Sequence, residues 1–194
     1  MPRAVIHLRT WIPSELHEGF SSWCDDHHRE QLRIEGFVRA RRFDLISASF
    51  PDPPDLLTIY EIDDLAVLDS PAYLAHRETA SALPETFAGR LTVMRRDCTI
   101  DASIPTNWWP APRTAELDEF HLNDLDIIEP LRTIDATGLT GLDHDMVLRV
   151  LVSTSDDAFV LFDHGADDSE EIEDLVATSG ATRSRWRCVF DERN

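Results

Sequence analysis

Pro13 and Gly36 mark off the stretch that narrows the possible folds most. It runs from Ser14 to Phe43, SELHEGFSSWCDDHHREQLRIEGFVRARRF. Pro13 is excluded from a helix interior, and Ser14 can accept hydrogen bonds from the free N–H groups of a first turn. Glu15 and Glu18 put negative charge near the positive end of the helix dipole. Leu16, Phe20, Trp23 and His27 recur at helical spacing and fall within an arc of roughly 60° on one face. His27 lies in the middle of this apolar stripe. His28 is turned about 100° away, toward its edge. Asp25, Asp26, Arg29 and Glu30 fill the polar side. Gly36 ends the connection, and the chain then alternates. Phe37, Arg39, Arg41 and Phe43 share one face of a strand; Val38, Ala40 and Arg42 share the other.

The rest of the first half extends this pattern. Ala4 to Trp11 reads as a first strand before the helix. SASFPDPPD, from Ser47 to Asp55, is a turn, because three prolines in four residues cannot continue a ladder. Leu56 to Ile62, LLTIYEI, is rich in strand formers. Leu65 to Leu83 is a helical region interrupted at Ser70-Pro71, with Pro71 restarting the helix and Ser70 as its cap. Gly89 to Cys98 is a fourth strand. The order β-α-β-β-α-β is that of a split βαβ, ferredoxin-like unit with antiparallel strands and both helices on one face.

Asp101 to Ala115 holds three prolines and no hydrophobic period, which marks a linker. Its Trp108-Trp109 pair either plugs a gap between lobes or roofs a pocket. Beyond it the same order of patterns recurs. Leu117 to Leu122 reads as a strand, Asp124 to Ile134 as a weak helix, and Met146 to Ser153 and Ala158 to Asp163 as two strands. Ser169 to Ser179 reads as a helix stopped by Gly180, and Arg183 to Phe190 as a last strand. The expected fold is therefore α+β: two tandem ferredoxin-like βαββαβ lobes, residues 1–100 and 116–194, joined by a linker over 101–115 and forming a pseudo-dimeric α+β barrel. Each lobe's open sheet face needs cover, and the space between two such sheets can hold a ligand.

Composition excludes several partners. The 194 residues carry 37 Asp and Glu against 18 Lys and Arg, a formal net charge of -19. Such a surface repels nucleic acid and anionic membrane. No run of sequence approaches a membrane span. Cys24, Cys98 and Cys188 are odd in number and lie far apart, which favours buried free thiols and a reducing cytoplasm. Motifs for nucleotide phosphates, serine hydrolysis and helical zinc sites are missing. Asp163, His164, Asp167 and Asp168 lack metal-ligand spacing, so neither a metal nor a cofactor is expected.

A strand, a helix carrying W-x3-H-H-x3-L, then G-F-x-x-A-R-x-F, a TIYEI strand and a helix opening S-P-x-Y together resemble the dimeric α+β barrel superfamily. Within it they are most similar to EthD-like and related small barrel proteins. Trp23, His27, His28, Leu32, Gly36, Phe37, Ala40, Arg41, Phe43, Tyr60, Ser70, Pro71 and Tyr73 carry the resemblance, which covers the first lobe. In the second lobe it rests on strand order alone. The superfamily includes cofactor-free oxygenases, lactone isomerases, polyketide cyclases, haem enzymes and members without known activity. The resemblance implies a pocket for a small organic molecule, often aromatic or polyketide-like, and leaves the reaction open.

Imidazole suits proton transfer at neutral pH, so His27 and His28 are the candidate acid and base. Arg41, with Arg39, is the candidate anion stabiliser, and Trp23 and Tyr60 are candidate pocket walls. Each also has a structural reading: His27 as a core-edge residue, His28 as a cation at the helix C-terminus, the arginines as partners of acidic loops. The expected function is an isomerase, cyclase or cofactor-free oxygenase working by proton transfer in a barrel pocket. The alternative is a non-catalytic binder or interaction protein of the same fold. In either case the internal pseudo-dimer could be a monomer, or exposed edge strands could pair again into a homodimer.

Overall fold

The computed structural model of the chain describes residues 4–79, 83–100, 125–129, 147–153, 158–163 and 182–194. In chain order the elements are β1 (Ala4–Trp11), α1 (His17–Gln31), β2 (Phe37–Ala48), β3 (Leu56–Ile62), α2 (Pro71–Thr79), β4 (Thr92–Ile100), β5 (Leu125–Glu129), β6 (Val147–Ser153), β7 (Ala158–Asp163) and β8 (Thr182–Arg193). The fold is mixed α+β. Among the described residues, eight strands, every pair antiparallel, close into a barrel in the order β1-β3-β2-β8-β5-β7-β6-β4. Closure gives each strand two neighbours, so an edge strand for homodimer pairing is not available among them.

The first-half elements fall where their patterns predict. β3, rich in strand formers, is one of the two inner strands of its half, flanked by β1 and β2, and all seven of its residues are buried. Ser70 caps α2, accepting the Tyr73 N–H at 3.2 Å, with Pro71 as the first helical residue. The entry to α1 differs from expectation. Ser14 to Leu16 forms a single 3-10 turn without a side-chain cap, and the helix proper begins at His17. The three cysteines are free and buried. No helix among the described residues is long and apolar enough to cross a membrane.

In the second half, β6, β7 and β8 match the expected strands, with β8 extended to Arg193. The expected weak helix at Asp124 to Ile134 is wrong for Leu125–Glu129, which is strand β5. This segment bridges β7 and β8, and ladder bonds to two partners outweigh the local helical period. The expected strand at Leu117 to Leu122, the helix at Ser169 to Ser179, Trp108-Trp109 and His164 lie outside the described residues.

α1 reaches β2 through a tight turn that only glycine fits. Gly36 has φ +92°, and its carbonyl accepts the Asp63 N–H at 2.9 Å. A Cβ there would lie 2.4 Å from Val67 Cγ2. Gly36→Ala therefore meets both backbone strain and a clash, and is expected to lower the unfolding free energy measured in urea by about 2 kcal/mol or more. Adding Val67→Ala should recover only the clash. Full recovery would show that φ contributes nothing.

Candidate active site

A cavity of about 280 Å³ lies between the two first-half helices and the face of β1, β3 and β4 that they cover. Small-molecule sites run from about 300 Å³ upward, so this one suits a compact ligand. The position corrects one expectation: the cavity lies under the helices rather than between two sheets. Strand registers explain the lining. Leu8 stands opposite both Thr58 and Arg95, Ile6 opposite Tyr60, and Thr10 opposite Val93. With one side chain in two facing the helices, these residues form the floor. Phe20, Trp23, Cys24, His27, His28 and Gln31 descend from α1, and Tyr73 and Arg77 from α2.

The two histidines exchange the places expected for them. His28 is buried on the stripe Phe20, Cys24, His28 and Gln31, whereas His27 is only partly buried on its shoulder. The Leu16, Phe20, Trp23 and His27 stripe is thus one flank of a wider buried face. His28 Nδ1 lies 2.5 Å from the Tyr60 hydroxyl, and Nε2 lies 3.3 Å from Cys24 Sγ. Burial pushes His28 down to about 3, assisted by His27 and by the Arg42 and Arg29 charges. The imidazole is therefore neutral at pH 7, not a cation at the helix end. One of its ring nitrogens donates and the other accepts. Burial also holds the Tyr60 phenol well above its ordinary value and the Cys24 thiol at about 12, so both keep their protons.

His27 stacks between Trp23, at 5.0 Å between ring centroids, and His76 of α2, at 5.5 Å. Burial and the neighbouring His76 lower it to about 4. Its Nδ1 is buried without a hydrogen-bond partner among the described residues. Asp25 and Asp26 do not orient either ring. Asp25 pairs with Arg42 at 3.0 Å and Asp26 with Arg29 at 3.0 Å.

Arg39 and Arg41 lie on the opposite face of the sheet and do not line the cavity. A bulge between Phe37 and Arg39 breaks the expected alternation, leaving Phe37 on the helix-facing side with Ala40. Arg41 Nη2 meets Glu61 Oε1 at 3.1 Å, and Arg39 forms a two-point pair with Asp191. Glu61 itself has no exposed surface. The cavity's own guanidiniums are Arg77 and Arg95, which strand and helix reading had left unassigned. Arg95 donates to Asp97 Oδ1 and to the Tyr73 hydroxyl, each at 2.8 Å. The signal for it was the alternation Val93, Arg95, Asp97 on β4, which becomes informative only once the register with β1 is known. No group of three or more metal-ligating side chains occurs among the described residues.

Neither protein-family models nor curated protein sequences match the chain. Solved structures do. It aligns with a candidate monooxygenase from Fusobacterium nucleatum at 9% identity and TM-score 0.56, covering 100% of this chain and 95% of that one. It aligns with an anthrone oxidase-like protein at 12% identity and TM-score 0.60, covering 99% and 93%. A candidate monooxygenase from Lactobacillus acidophilus gives 8% identity and TM-score 0.53 over 98% and 96%. At such identities the likeness is one of fold. The chain has the α+β barrel fold of these proteins.

The neutral histidines set a pH dependence. A histidine whose folded pKa lies below its unfolded value of about 6.5 gives the unfolded state more bound protons between the two. Stability is then full above pH 6.5 and falls as the pH drops toward the folded value. His28 alone should cost about 2 kcal/mol between pH 7.5 and 5, measured by urea unfolding. In His28→Gln that loss should shrink. An unchanged slope would mean that His28 titrates normally in the folded chain.

Proposed function

We propose that the chain is an enzyme that oxidises a small aromatic substrate with molecular oxygen, without a cofactor, in the cavity beneath α1 and α2. The observation that carries this reading is the convergence of His27, the His28–Tyr60 pair and Arg95 on one largely apolar cavity. The fold shared with two candidate monooxygenases and an anthrone oxidase-like protein supports it.

The chemistry assigned to these residues begins with a proton. His27 lines the cavity and makes no hydrogen bond among the described residues, so it is assigned as the base. It takes an acidic C–H proton from a carbon flanked by aromatic rings and conjugated to a carbonyl. The negative charge moves to the carbonyl oxygen, where Arg95 and the Tyr60 hydroxyl stabilise it. A desolvated imidazole at about 4 is a weak base when the cavity is empty. Beside a forming oxyanion its cation gains a partner, which restores its basicity where it is needed. The carbanion gives one electron to O₂, the two radicals join as a carbon-bound peroxide anion, and His27 returns its proton to make the hydroperoxide. Loss of water from it leaves a new carbonyl, so one O₂ converts a CH₂ into C=O plus one water. Trp23 and Phe20 supply flat apolar walls for the rings.

The proposal extends to organisation. The orders β4-β1-β3-β2 and β8-β5-β7-β6 are the same when each half is counted from its own first strand. This supports two tandem lobes, residues 1–100 and 116–194 with a linker between, in an internally duplicated barrel whose first lobe is EthD-like. Only the first lobe would hold this site. A homodimer would have to form through helix or loop surfaces and would appear in light scattering.

Anthrone in aerated buffer without added metal is the direct test. The chain should consume about one O₂ per anthrone as quinone absorbance rises, by the balance above. His27→Ala should lower the rate about 100-fold or more with an unchanged circular dichroism spectrum. A wild-type rate equal to that of buffer, or a His27→Ala variant as fast as wild type, would overturn the assignment.

A further inference from the structure

The lining of the cavity has a charge opposite to that of the chain. The sequence holds 37 carboxylates and 18 guanidinium or ammonium groups. Yet the described lining contains Arg77 and Arg95, two neutral histidines and not one Asp or Glu. Arg95 is anchored from two sides, and its Nε and one Nη1 donor are used. Three of its five N–H donors are left for a ligand. Asp97 offsets part of its charge. Arg77 is the uncompensated cation. It is exposed, one turn beyond Tyr73 on α2, and makes no ion pair or hydrogen bond among the described residues.

A second observation concerns hydrogen bonding. Gln31 is 6% exposed and lines the cavity, and its Oε1 is buried without a partner among the described residues. A buried acceptor left unpaired has an energetic cost. A ligand hydroxyl, met by turning the amide toward the cavity, would remove that cost. The floor supplies a length as well. Arg95 on β4 and Thr58 on β3 flank Leu8 of β1, so they lie two strand spacings apart, about 10 Å. That span suits a fused aromatic ring system lying across β1, with a charged group at the β4 end.

We infer that the cavity selects an anionic ligand, a hydroxylated aromatic carboxylate whose carboxylate meets Arg77 and Arg95 and whose hydroxyl donates to Gln31. The inference names the substrate class for the oxygenase reading and rests on it for the identity of the site. A chain of charge -19 repels small anions at a distance, so any preference for an acid over its neutral ester must come from local cations. The preference is therefore diagnostic of the cavity.

Binding of three probes tests it by calorimetry at fixed pH and salt: a hydroxynaphthoate, its methyl ester, and the naphthoate lacking the hydroxyl. The hydroxy acid should bind at least about tenfold more tightly than the ester, the value of one charge-assisted hydrogen bond. Arg77→Gln should weaken the acid by about tenfold and leave the ester within about twofold. Arg95→Gln should do the same, but it also releases Tyr73 and Asp97, so the exposed Arg77 position keeps the test valid if that variant fails to fold. Gln31→Leu should weaken the hydroxy acid and spare the acid without the hydroxyl. Equal binding of acid and ester, or an acid unaffected by Arg77→Gln, would overturn the inference. The two readings fail separately. Oxidation of anthrone with no preference for acids would remove this inference and keep the oxygenase. Arginine-dependent binding of the acid with no arene oxidised would keep the anion site and remove the oxygenase.

Discussion

β3 is buried on both faces, and the rest of the molecule follows from that constraint. A strand in an open sheet can leave one face to water. Here barrel closure covers one face and the helices cover the other, so every residue of LLTIYEI must be paired or packed. Tyr60 and Glu61 show the consequence. Tyr60 points its hydroxyl at His28 beneath the helices, while Glu61 meets Arg41 on the opposite face. Adjacent residues of one strand thus serve two separate polar networks. A buried carboxylate is tolerated only with close partners, so Arg39 and Arg41 are committed to Glu61 and Asp191. They could not also serve a ligand on the far side of the sheet.

The histidines take their character from the same burial. An imidazole in water gains a proton near pH 6.5, but desolvation penalises the charged ring far more than the neutral one. His28, between a protonated thiol and a protonated phenol, has hydrogen-bonding neighbours and no counter-ion. It is suited to holding Tyr60 in place. His27 is less enclosed and is stacked rather than hydrogen-bonded. In the reaction proposed above, two adjacent residues of the same type would divide into a positioning group and a base.

Much of this was legible along the chain. Pro13, Gly36, Ser70 and Pro71 each act through backbone geometry that depends on local sequence, and the elements they bound occur as expected, apart from the first turn at Ser14. Trp23, His27, His28 and Tyr60 were legible as a group because two helical turns and one strand suffice to bring them together. Arg39 and Arg41 misled because a strand bulge shifts side chains from face to face and leaves no mark in the residue types. Arg95 and Arg77 were missed because their meaning depends on which strand lies beside β4 and what lies beneath α2. Leu125–Glu129 misled because its strand state is conferred by β7 and β8.

The sequence alone determined the order of the first-half elements, the breaks between them, the acidic surface and the concentration of imidazole on one helix. All of these depend on contacts within a few residues or on composition. Only the tertiary structure decided which sheet face each arginine occupies, that the cavity lies under the helices, and that its described lining carries no carboxylate in so acidic a chain. Those properties arise from register and from closure of the barrel. Both pair residues far apart in sequence, and their energies come from burying two faces of one sheet at once.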